Sequence, residues 1–170
     1  MSDRRLFGLA GWSGSGKTTL LTRLLPELTR RGLTVSTVKH THHSFDVDKP
    51  GKDSWLHREA GASEVMISST QRWALMHEHR GAPEADLAGL LRHMSPADLI
   101  IVEGFKGAPH AKLEVHRPAL GKPLLCRDDP HIVAVASDAP VEGVALPVLP
   151  LDDVAAIARF ILAHFRIEAA

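Results

Sequence analysis

Residues that could bind phosphate lie near the start of the chain, in Gly11-Trp12-Ser13-Gly14-Ser15-Gly16-Lys17-Thr18. Two glycines separated by four residues and followed by Lys-Thr match the Walker A pattern in full. In such a loop the backbone N–H groups turn toward phosphate oxygens, and the helix that follows adds partial positive charge. We expect Lys17 at the β- and γ-phosphates and the Thr18 hydroxyl on Mg²⁺. The predicted nucleotide-binding residues of the loop are Gly11, Ser13, Gly14, Ser15, Gly16, Lys17, Thr18 and Thr19.

A second candidate group is the carboxylate that ends the apolar run Leu99-Ile100-Ile101-Val102-Glu103-Gly104. Four apolar residues followed by an acid resemble a Walker B strand, whose acid holds Mg²⁺ directly or through water. The acid is glutamate here instead of the commoner aspartate. We therefore predict that Glu103 is a metal ligand. The alternative is a strand-end glutamate that caps the next loop or pairs with Lys106.

Histidines and aspartates are dense in the segment Lys39-His40-Thr41-His42-His43-Ser44-Phe45-Asp46-Val47-Asp48. A structural zinc site is one interpretation, but such sites need four nitrogen or sulfur ligands at defined spacing. We favour a switch-like loop that meets the γ-phosphate and Mg²⁺. Asp46 is then the predicted second metal carboxylate, with Asp48 as the other possibility. A solvated polar loop is the third interpretation.

Recognition of the base has a weaker basis in the sequence. The chain contains no asparagine, so the Asn-Lys-x-Asp motif by which classical GTPases read guanine is absent in its usual form. Asp138 follows the apolar run 132–136 and could accept hydrogen bonds from guanine. Equally, it could cap a turn before Pro140.

These groups need a scaffold, and the chain alternates short apolar runs with amphipathic segments. The pattern predicts an α/β fold of the P-loop NTPase class, with a mostly parallel sheet and helices on both faces. The pair of strands at 64–78 could add an antiparallel edge hairpin. Strands are predicted at 6–10, 34–38, 64–68, 73–78, 99–102, 112–115 and 132–136, and helices at 18–31, 54–60, 84–94 and 154–165.

Length and charge limit the classes of protein that remain. At 170 residues the chain fits a single domain, 1–170, with a full hydrophobic core. Lys plus Arg and Asp plus Glu are 20 each, so no global field favours nucleic acid or an anionic membrane. Cys126 is the single cysteine, and we expect it to act as a small hydrophobe. With no secretory signal and no membrane-spanning run, we expect a cytoplasmic protein.

Taken together, the motifs resemble the molybdopterin-guanine dinucleotide biosynthesis protein B family, MobB. Beyond the phosphate loop the likeness depends on four further blocks, which occur in the expected order up to residue 117. These blocks are Val38-Lys39-His40 with His42-His43-x-Phe45-Asp46, Pro50-Gly51-Lys52-Asp53-Ser54, Val102-Glu103-Gly104-Phe105-Lys106, and Lys112-Leu113-Glu114-Val115-His116-Arg117.

The resemblance implies a cytoplasmic, homodimeric adapter that binds GTP with Mg²⁺ and has at most weak GTPase activity. Such an adapter would assist a MobA-type molybdopterin guanylyltransferase, which attaches GMP to molybdopterin. The preference for GTP over ATP comes from the resemblance and not from the residues. The alternative is a small-molecule kinase that uses the same loop, with Arg58, Arg72 and Arg80 as possible phosphate clamps.

Overall fold

The computed structural model describes residues 4–41 and 45–168, and it divides the chain into two compact units. The described part of the first unit is 4–41 with 94–168, and that of the second is 45–93. The strands are β1 (Leu6–Ala10), β2 (Val35–Lys39), β3 (Glu64–Ser68), β4 (Trp73–His77), β5 (Leu99–Glu103), β6 (Lys112–His116), β7 (Ile132–Ser137) and β8 (Val148–Pro150). The helices are α1 (Lys17–Arg30), α2 (Asp53–Glu59), α3 (Leu87–Leu91) and α4 (Val154–His164).

The first unit is built on a six-stranded sheet with the order β2-β5-β1-β6-β7-β8. Every neighbouring pair in this sheet is parallel. The carboxyl ends of all six strands therefore lie at one edge. In open parallel sheets, ligands bind in the crevice outside that edge.

The main hydrophobic core lies between one face of the sheet and the helices α1 and α4. Phe7, Leu9 and Ile101 from the central strands pack there with Leu24 of α1 and Ile157 of α4, all of them almost fully buried. β1 is apolar throughout and β5 is apolar up to Glu103, because both faces of these strands are covered.

On β6 the opposite face of the sheet carries buried polar side chains. The carboxylate of Glu114 is completely buried there and accepts hydrogen bonds from the backbone N–H groups of Leu125 and Cys126. Those residues begin a short 3₁₀ turn, Leu125–Arg127. A helical turn therefore covers this face, while the two long helices of the unit occupy the other.

The second unit holds α2, α3 and an antiparallel pair of strands. In that pair Glu64 lies opposite His77 and Ser68 opposite Trp73. The two strands form a sheet of their own. Met66 and Trp73 are more than half exposed on this ribbon, at 63% and 60%.

The structure confirms the predicted α/β class with a parallel main sheet. The antiparallel pair at 64–78 is present, but as a separate sheet and not as an edge of the large one. Helix α3 begins later than predicted because Asp86 caps it by accepting from the N–H of Gly89. It also ends earlier than predicted, at Leu91. Helix α1 contains Pro26 and continues past it to Arg30.

Strand β8 was not predicted from the sequence. It is only three residues long, so it shows no periodicity that the sequence could reveal. It ends in Pro150, and proline is typical of an edge position.

Among the helices of the described residues, none has both the length and the apolar character needed to cross a bilayer.

Candidate functional site

The loop between β1 and α1 has the backbone conformation that its glycines make possible. Gly11, Gly14 and Gly16 all have positive φ, and Gly16 is the N-cap of α1. A Cβ atom on residue 11 would lie 2.5 Å from the carbonyl oxygen of Val115 and 2.7 Å from Oγ of Ser15. Since no real Cβ tolerates such distances, the approach of this loop to β6 requires glycine at position 11.

The Lys17 ammonium lies across this loop. It donates to the carbonyl oxygens of Gly11 at 2.9 Å and Trp12 at 3.0 Å. Partial burial lowers the pKa of Lys17, opposed by the Glu103 carboxylate and reinforced by the cations of Lys106 and Lys39. The loop thus carries a fixed cation at the start of α1, where the first N–H groups of the helix have no partner within the helix.

The remaining predicted residues of the loop differ in exposure. Ser13, Gly14, Thr18 and Thr19 are exposed, whereas Ser15 is 1% exposed. Within the part of the chain that the structure describes, the Ser15 hydroxyl finds no hydrogen-bond partner.

Two predicted magnesium ligands come together. The Thr18 hydroxyl donates to Oε1 of Glu103 at 3.0 Å, although the two residues are 85 positions apart. This contact arises because β5 lies beside β1, with Glu103 opposite Leu9. The side chain of Glu103 is only 10% exposed, and Nζ of Lys39 lies 3.9 Å from its carboxylate. A hydroxyl and a carboxylate are oxygen ligands of the kind Mg²⁺ takes, alongside nucleotide phosphates.

Lys106, the other suggested partner of Glu103, has a different neighbour. Its ammonium lies 5.6 Å from the centre of the Trp12 ring, and that of Lys122 lies 5.7 Å from it. The indole N–H of Trp12 donates to the carbonyl oxygen of Pro123. Cations and an aromatic ring therefore surround the start of the loop.

The third predicted metal ligand, Asp46, belongs to the second unit and is paired there with a cation. The guanidinium of Arg58 contacts Asp46 at 3.1 Å, Asp48 at 2.7 Å and Glu78 at 3.1 Å. The Asp48 side chain is 2% exposed, and its hydrogen bonds with Arg58 hold the pKa of that carboxyl below its usual value. Of the other suggested phosphate clamps, Arg80 also has partners, since it donates to the carbonyls of Arg58 and Ala62.

The zinc interpretation cannot be followed to all its residues, because His42 and His43 lie outside the described part of the chain. His40 packs against Phe105, with ring centres 4.7 Å apart. Within the described ranges, no three His, Cys, Asp or Glu side chains are grouped so as to hold a metal ion.

Burial and the neighbouring Glu114 carboxylate raise the pKa of the Cys126 thiol, which makes this cysteine less reactive.

The predicted base carboxylate, Asp138, follows β7 directly. It forms an ion pair with Nη1 of Arg117, which is the residue after β6. Nε of the same guanidinium donates to the carbonyl oxygen of Ser15 at 3.0 Å. Asp138 and Arg117 line an open cleft of about 430 Å³ at the carboxyl ends of β7 and β8. The other lining residues are Arg23, Ser137, Ala139, Val148, Leu149, Pro150, Leu151 and Asp152.

Comparison with known proteins identifies the family. A family model described as molybdopterin guanine dinucleotide synthesis protein B, MobB, matches residues 6–138. The chain belongs to the MobB family. The matched residues run from the first strand through the phosphate loop and Glu103 to Asp138, so they include every candidate residue described above.

Curated relatives extend the MobB likeness over almost the full chain. The molybdopterin-guanine dinucleotide biosynthesis adapter protein of Escherichia coli (strain K12) is 46% identical over 160 residues, covering 92% of this chain and 91% of that protein. The protein of the same name from Haemophilus influenzae is 43% identical over 164 residues, covering 95% and 91%.

Solved structures of MobB proteins agree with the fold. A crystal structure of molybdopterin-guanine biosynthesis protein B superposes with a TM-score of 0.74 at 33% identity, covering 94% of this chain and 99% of that one. The MobB homologue from Bacillus stearothermophilus gives a TM-score of 0.70 at 25% identity, covering 96% and 99%.

Sequence reasoning missed the part that Arg117 plays in this MobB chain. Arg117 closed one of the family blocks, but nothing in the sequence assigned it a contact. The available signal was its position directly after an apolar strand, where ligand-facing residues of a parallel sheet lie. Its two partners could not be predicted without the strand order, because Ser15 and Asp138 are 102 and 21 positions away.

Proposed function

We propose that this chain is a GTP- and Mg²⁺-binding adapter in the biosynthesis of molybdopterin guanine dinucleotide. Membership of the MobB family and the names of the relatives support the pathway. The observation that supports nucleotide binding most directly is the contact of the Thr18 hydroxyl with the buried Glu103 carboxylate at the end of a complete Walker loop.

In this proposal the phosphates lie at the N-terminus of α1. Backbone N–H groups of residues 13–19 and the Lys17 ammonium would hold the β- and γ-phosphates. Lys17 would exchange its contacts with the carbonyls of Gly11 and Trp12 for phosphate oxygens. Bound Mg²⁺ neutralises phosphate charge, and Thr18 and Glu103 are the residues proposed to hold it. Asp46 lies in the second unit, where it is paired with Arg58, and its role as a ligand stays a prediction.

The guanine base would occupy the cleft beside β7 and β8. A cleft of about 430 Å³ falls in the range of about 300–1,000 Å³ that is typical of small-molecule sites. Its apolar lining residues suit a flat ring. The Asp138 carboxylate can accept from the N1–H and the amino group of guanine, groups that adenine does not offer together. This is the only element of the proposal that distinguishes GTP from ATP.

The proposed protein partner is a MobA-type molybdopterin guanylyltransferase acting on molybdopterin in the cytoplasm. We also propose a homodimer. Among the described residues the β3–β4 ribbon pairs with no other strand, and Met66, Ile67 and Trp73 are exposed on it, so we propose this ribbon as the dimer contact. Analytical ultracentrifugation tests the dimer, since a monomer at micromolar concentration would contradict it.

The adapter role can be tested with GTP labelled in the guanine ring, Mg²⁺, molybdopterin and a purified guanylyltransferase. We expect the chain to increase the yield of labelled guanine dinucleotide. Lys17→Ala should abolish this increase and lower the affinity for GTP by about 10- to 100-fold, because it removes a charge-assisted contact.

The control variant for Lys17→Ala is Arg30→Ala, which removes an exposed cation from the other end of α1 and should behave as wild type. A parallel reaction with γ-labelled GTP tests the kinase alternative. Transfer of that label to a small molecule, without any gain in guanine dinucleotide, would contradict the adapter proposal.

A further inference from the structure

Arg117 connects two parts of the candidate site that are far apart in sequence. Its Nε donates to the Ser15 carbonyl, inside the phosphate loop, and its Nη1 is paired with the Asp138 carboxylate, in the cleft. The planar guanidinium offers donors in a fixed fork, so one side chain makes both contacts at once.

The guanidinium also packs closely on the loop. A Cβ atom on Gly16, the N-cap of α1, would lie 3.5 Å from Nη2 and 3.6 Å from Nε of Arg117. A cation so near a helix N-terminus is electrostatically unfavourable, since that end of the helix carries partial positive charge. The Asp138 carboxylate offsets this unfavourable charge. If Asp138 moved away, the repulsion between the Arg117 cation and the N-terminus of α1 would increase.

Stability does not account for this arrangement. The side chains of Arg117 and Asp138 are 38% and 39% exposed, and exposed ion pairs contribute little to folding. Both residues line the cleft, and Asp138 retains acceptor sites after it has bound Arg117, because a carboxylate has about four lone-pair sites. The pair can therefore bind a ligand without first separating.

We infer that Arg117 is a positioning residue that couples recognition of the guanine base by Asp138 to the conformation of the phosphate loop. This inference depends on the proposed binding of GTP. Arg117 would fix the orientation of the Asp138 carboxylate toward the base and, through the Ser15 carbonyl, the direction of the N–H groups that face phosphate. One residue would then set both base preference and phosphate affinity.

The test measures calorimetric affinities for three magnesium-bound probes: tripolyphosphate, GTP and inosine triphosphate. Tripolyphosphate has no base and reports on the loop. Inosine triphosphate lacks the amino group of guanine, so its affinity relative to GTP reports on Asp138. For Arg117→Gln we expect the affinity for tripolyphosphate to fall about tenfold, the loss of one charge-assisted contact, and the preference for GTP over inosine triphosphate to fall toward one.

Arg117→Lys is the second variant and Arg159→Gln the control, since Arg159 is an exposed arginine of α4 outside the cleft lining. A compact ammonium cannot occupy the positions of both Nε and Nη1, so lysine should restore at most one of the two properties. Circular dichroism and thermal unfolding check the fold. If Arg117→Gln fails to fold, Arg117→Lys provides the test. Wild-type affinity for tripolyphosphate together with wild-type preference for GTP in Arg117→Lys would then overturn the inference.

Three other results bear on the inference. A folded Arg117→Gln protein could lose only the affinity for tripolyphosphate, or only the preference for GTP over inosine triphosphate. Arg117 would then support one part of the site alone, and the coupling would be overturned. Unchanged properties in that variant, with wild-type protein that prefers GTP, would overturn the inference and leave the proposed function standing. Wild-type protein that binds none of the three probes would overturn both.

Discussion

Glu103 is the single side chain on which the proposed metal site depends most, and an isosteric change can test it. Glutamine keeps the oxygen that accepts from the Thr18 hydroxyl but removes the negative charge. For Glu103→Gln we expect an unchanged melting temperature without ligand. The Mg²⁺-dependent gain in GTP affinity should fall by about tenfold or more. Calorimetry with Mg²⁺ and with EDTA gives that gain.

Glu142→Gln, which changes an exposed carboxylate, serves as the control for Glu103→Gln. A large drop in melting temperature of the ligand-free Glu103→Gln protein would instead favour the capping role that the sequence left open.

The surroundings of His110 predict that the stability of the fold depends on pH. This effect does not involve the nucleotide site. It is 8% exposed, and among the described residues its ring nitrogens find no hydrogen-bond partner. Burial, and then the nearby Lys112 cation, lower the pKa of His110 to about 4. The unfolded chain, with a histidine pKa of about 6.5, binds a proton first as the pH falls.

Protonation of the unfolded chain therefore lowers the free energy of unfolding as the pH falls from about 6.5 toward 4. Above pH 6.5 the imidazole is neutral in both states, so no stability is lost there. The expected loss between pH 7 and pH 5 is about 2 kcal/mol. Urea unfolding at both values should show it in the wild type and in His93→Gln, an exposed control, but not in His110→Gln. An equal loss in His110→Gln would rule out His110 as the source.

At the scale of elements, Arg58 joins three parts of the second unit. From α2 it contacts carboxylates of the preceding loop and Glu78 just after β4, and its own carbonyl accepts from Arg80. Arg58→Met would leave the almost fully buried carboxylate of Asp48 without its partner, and removing one member of such a pair is strongly destabilising. We expect amide exchange in residues 45–80 to become about tenfold faster or more.

The Arg58 prediction has a built-in rescue. Arg58→Met combined with Asp48→Asn leaves no unpaired charge and should recover part of the protection. Arg72→Met, in the exposed turn between β3 and β4, is the control. Exchange in the second unit that stays at the wild-type rate in Arg58→Met would show that this cluster does not hold the unit together.

Elements defined by local pattern were predictable, and those defined by distant partners were not. Strands β1 and β5 are apolar runs bounded by polar residues or glycine, so their positions followed from the sequence to within a residue. The start of helix α3 was predicted too early because the capping by Asp86 was not recognised. The order of the strands depends on pairing between distant segments, which no local pattern specifies.

The same limit applies to the candidate site. Thr18 belongs to a Walker A loop and Glu103 to a Walker B-like strand, and both motifs have a fixed place at the end of a strand. A contact between the two residues was therefore expected. Arg117 belongs to no such motif, and its contacts appear only once β6 lies between β1 and β7. The roles assigned to the phosphate-loop residues, Asp46, Glu103 and Asp138 in ligand binding remain predictions.

At the scale of the whole molecule, all the candidate nucleotide groups except Asp46 belong to one unit. The phosphate loop, Glu103, Arg117 and the cleft all lie in residues 4–41 and 94–168. The second unit is inserted between β2 and β5 and carries the Pro50–Ser54 block and the exposed ribbon. In the proposed adapter, the first unit would bind the nucleotide and the ribbon of the second unit would make the dimer contact.

Slow intrinsic hydrolysis of GTP is the final expectation for such an adapter. Fast GTPases orient water with a glutamine and stabilise the transition state with an arginine, and an arginine of this kind supplies a factor of about 10³–10⁵. The single glutamine of the chain, Gln71, lies in the turn between β3 and β4. Arg117 does lie beside the loop, but the Ser15 carbonyl and Asp138 already engage its guanidinium.

We therefore expect purified protein with saturating Mg²⁺ and GTP to turn over more slowly than about one per second, without its partner enzyme. Phosphate release measured over an hour, with Lys17→Ala as the blank for contaminating activity, gives the rate. Faster turnover that disappears in Lys17→Ala would show that the chain carries a complete catalytic set. Arg117 would then be the first residue to examine, because leaving Asp138 for the γ-phosphate would turn it from a positioning residue into a catalytic one.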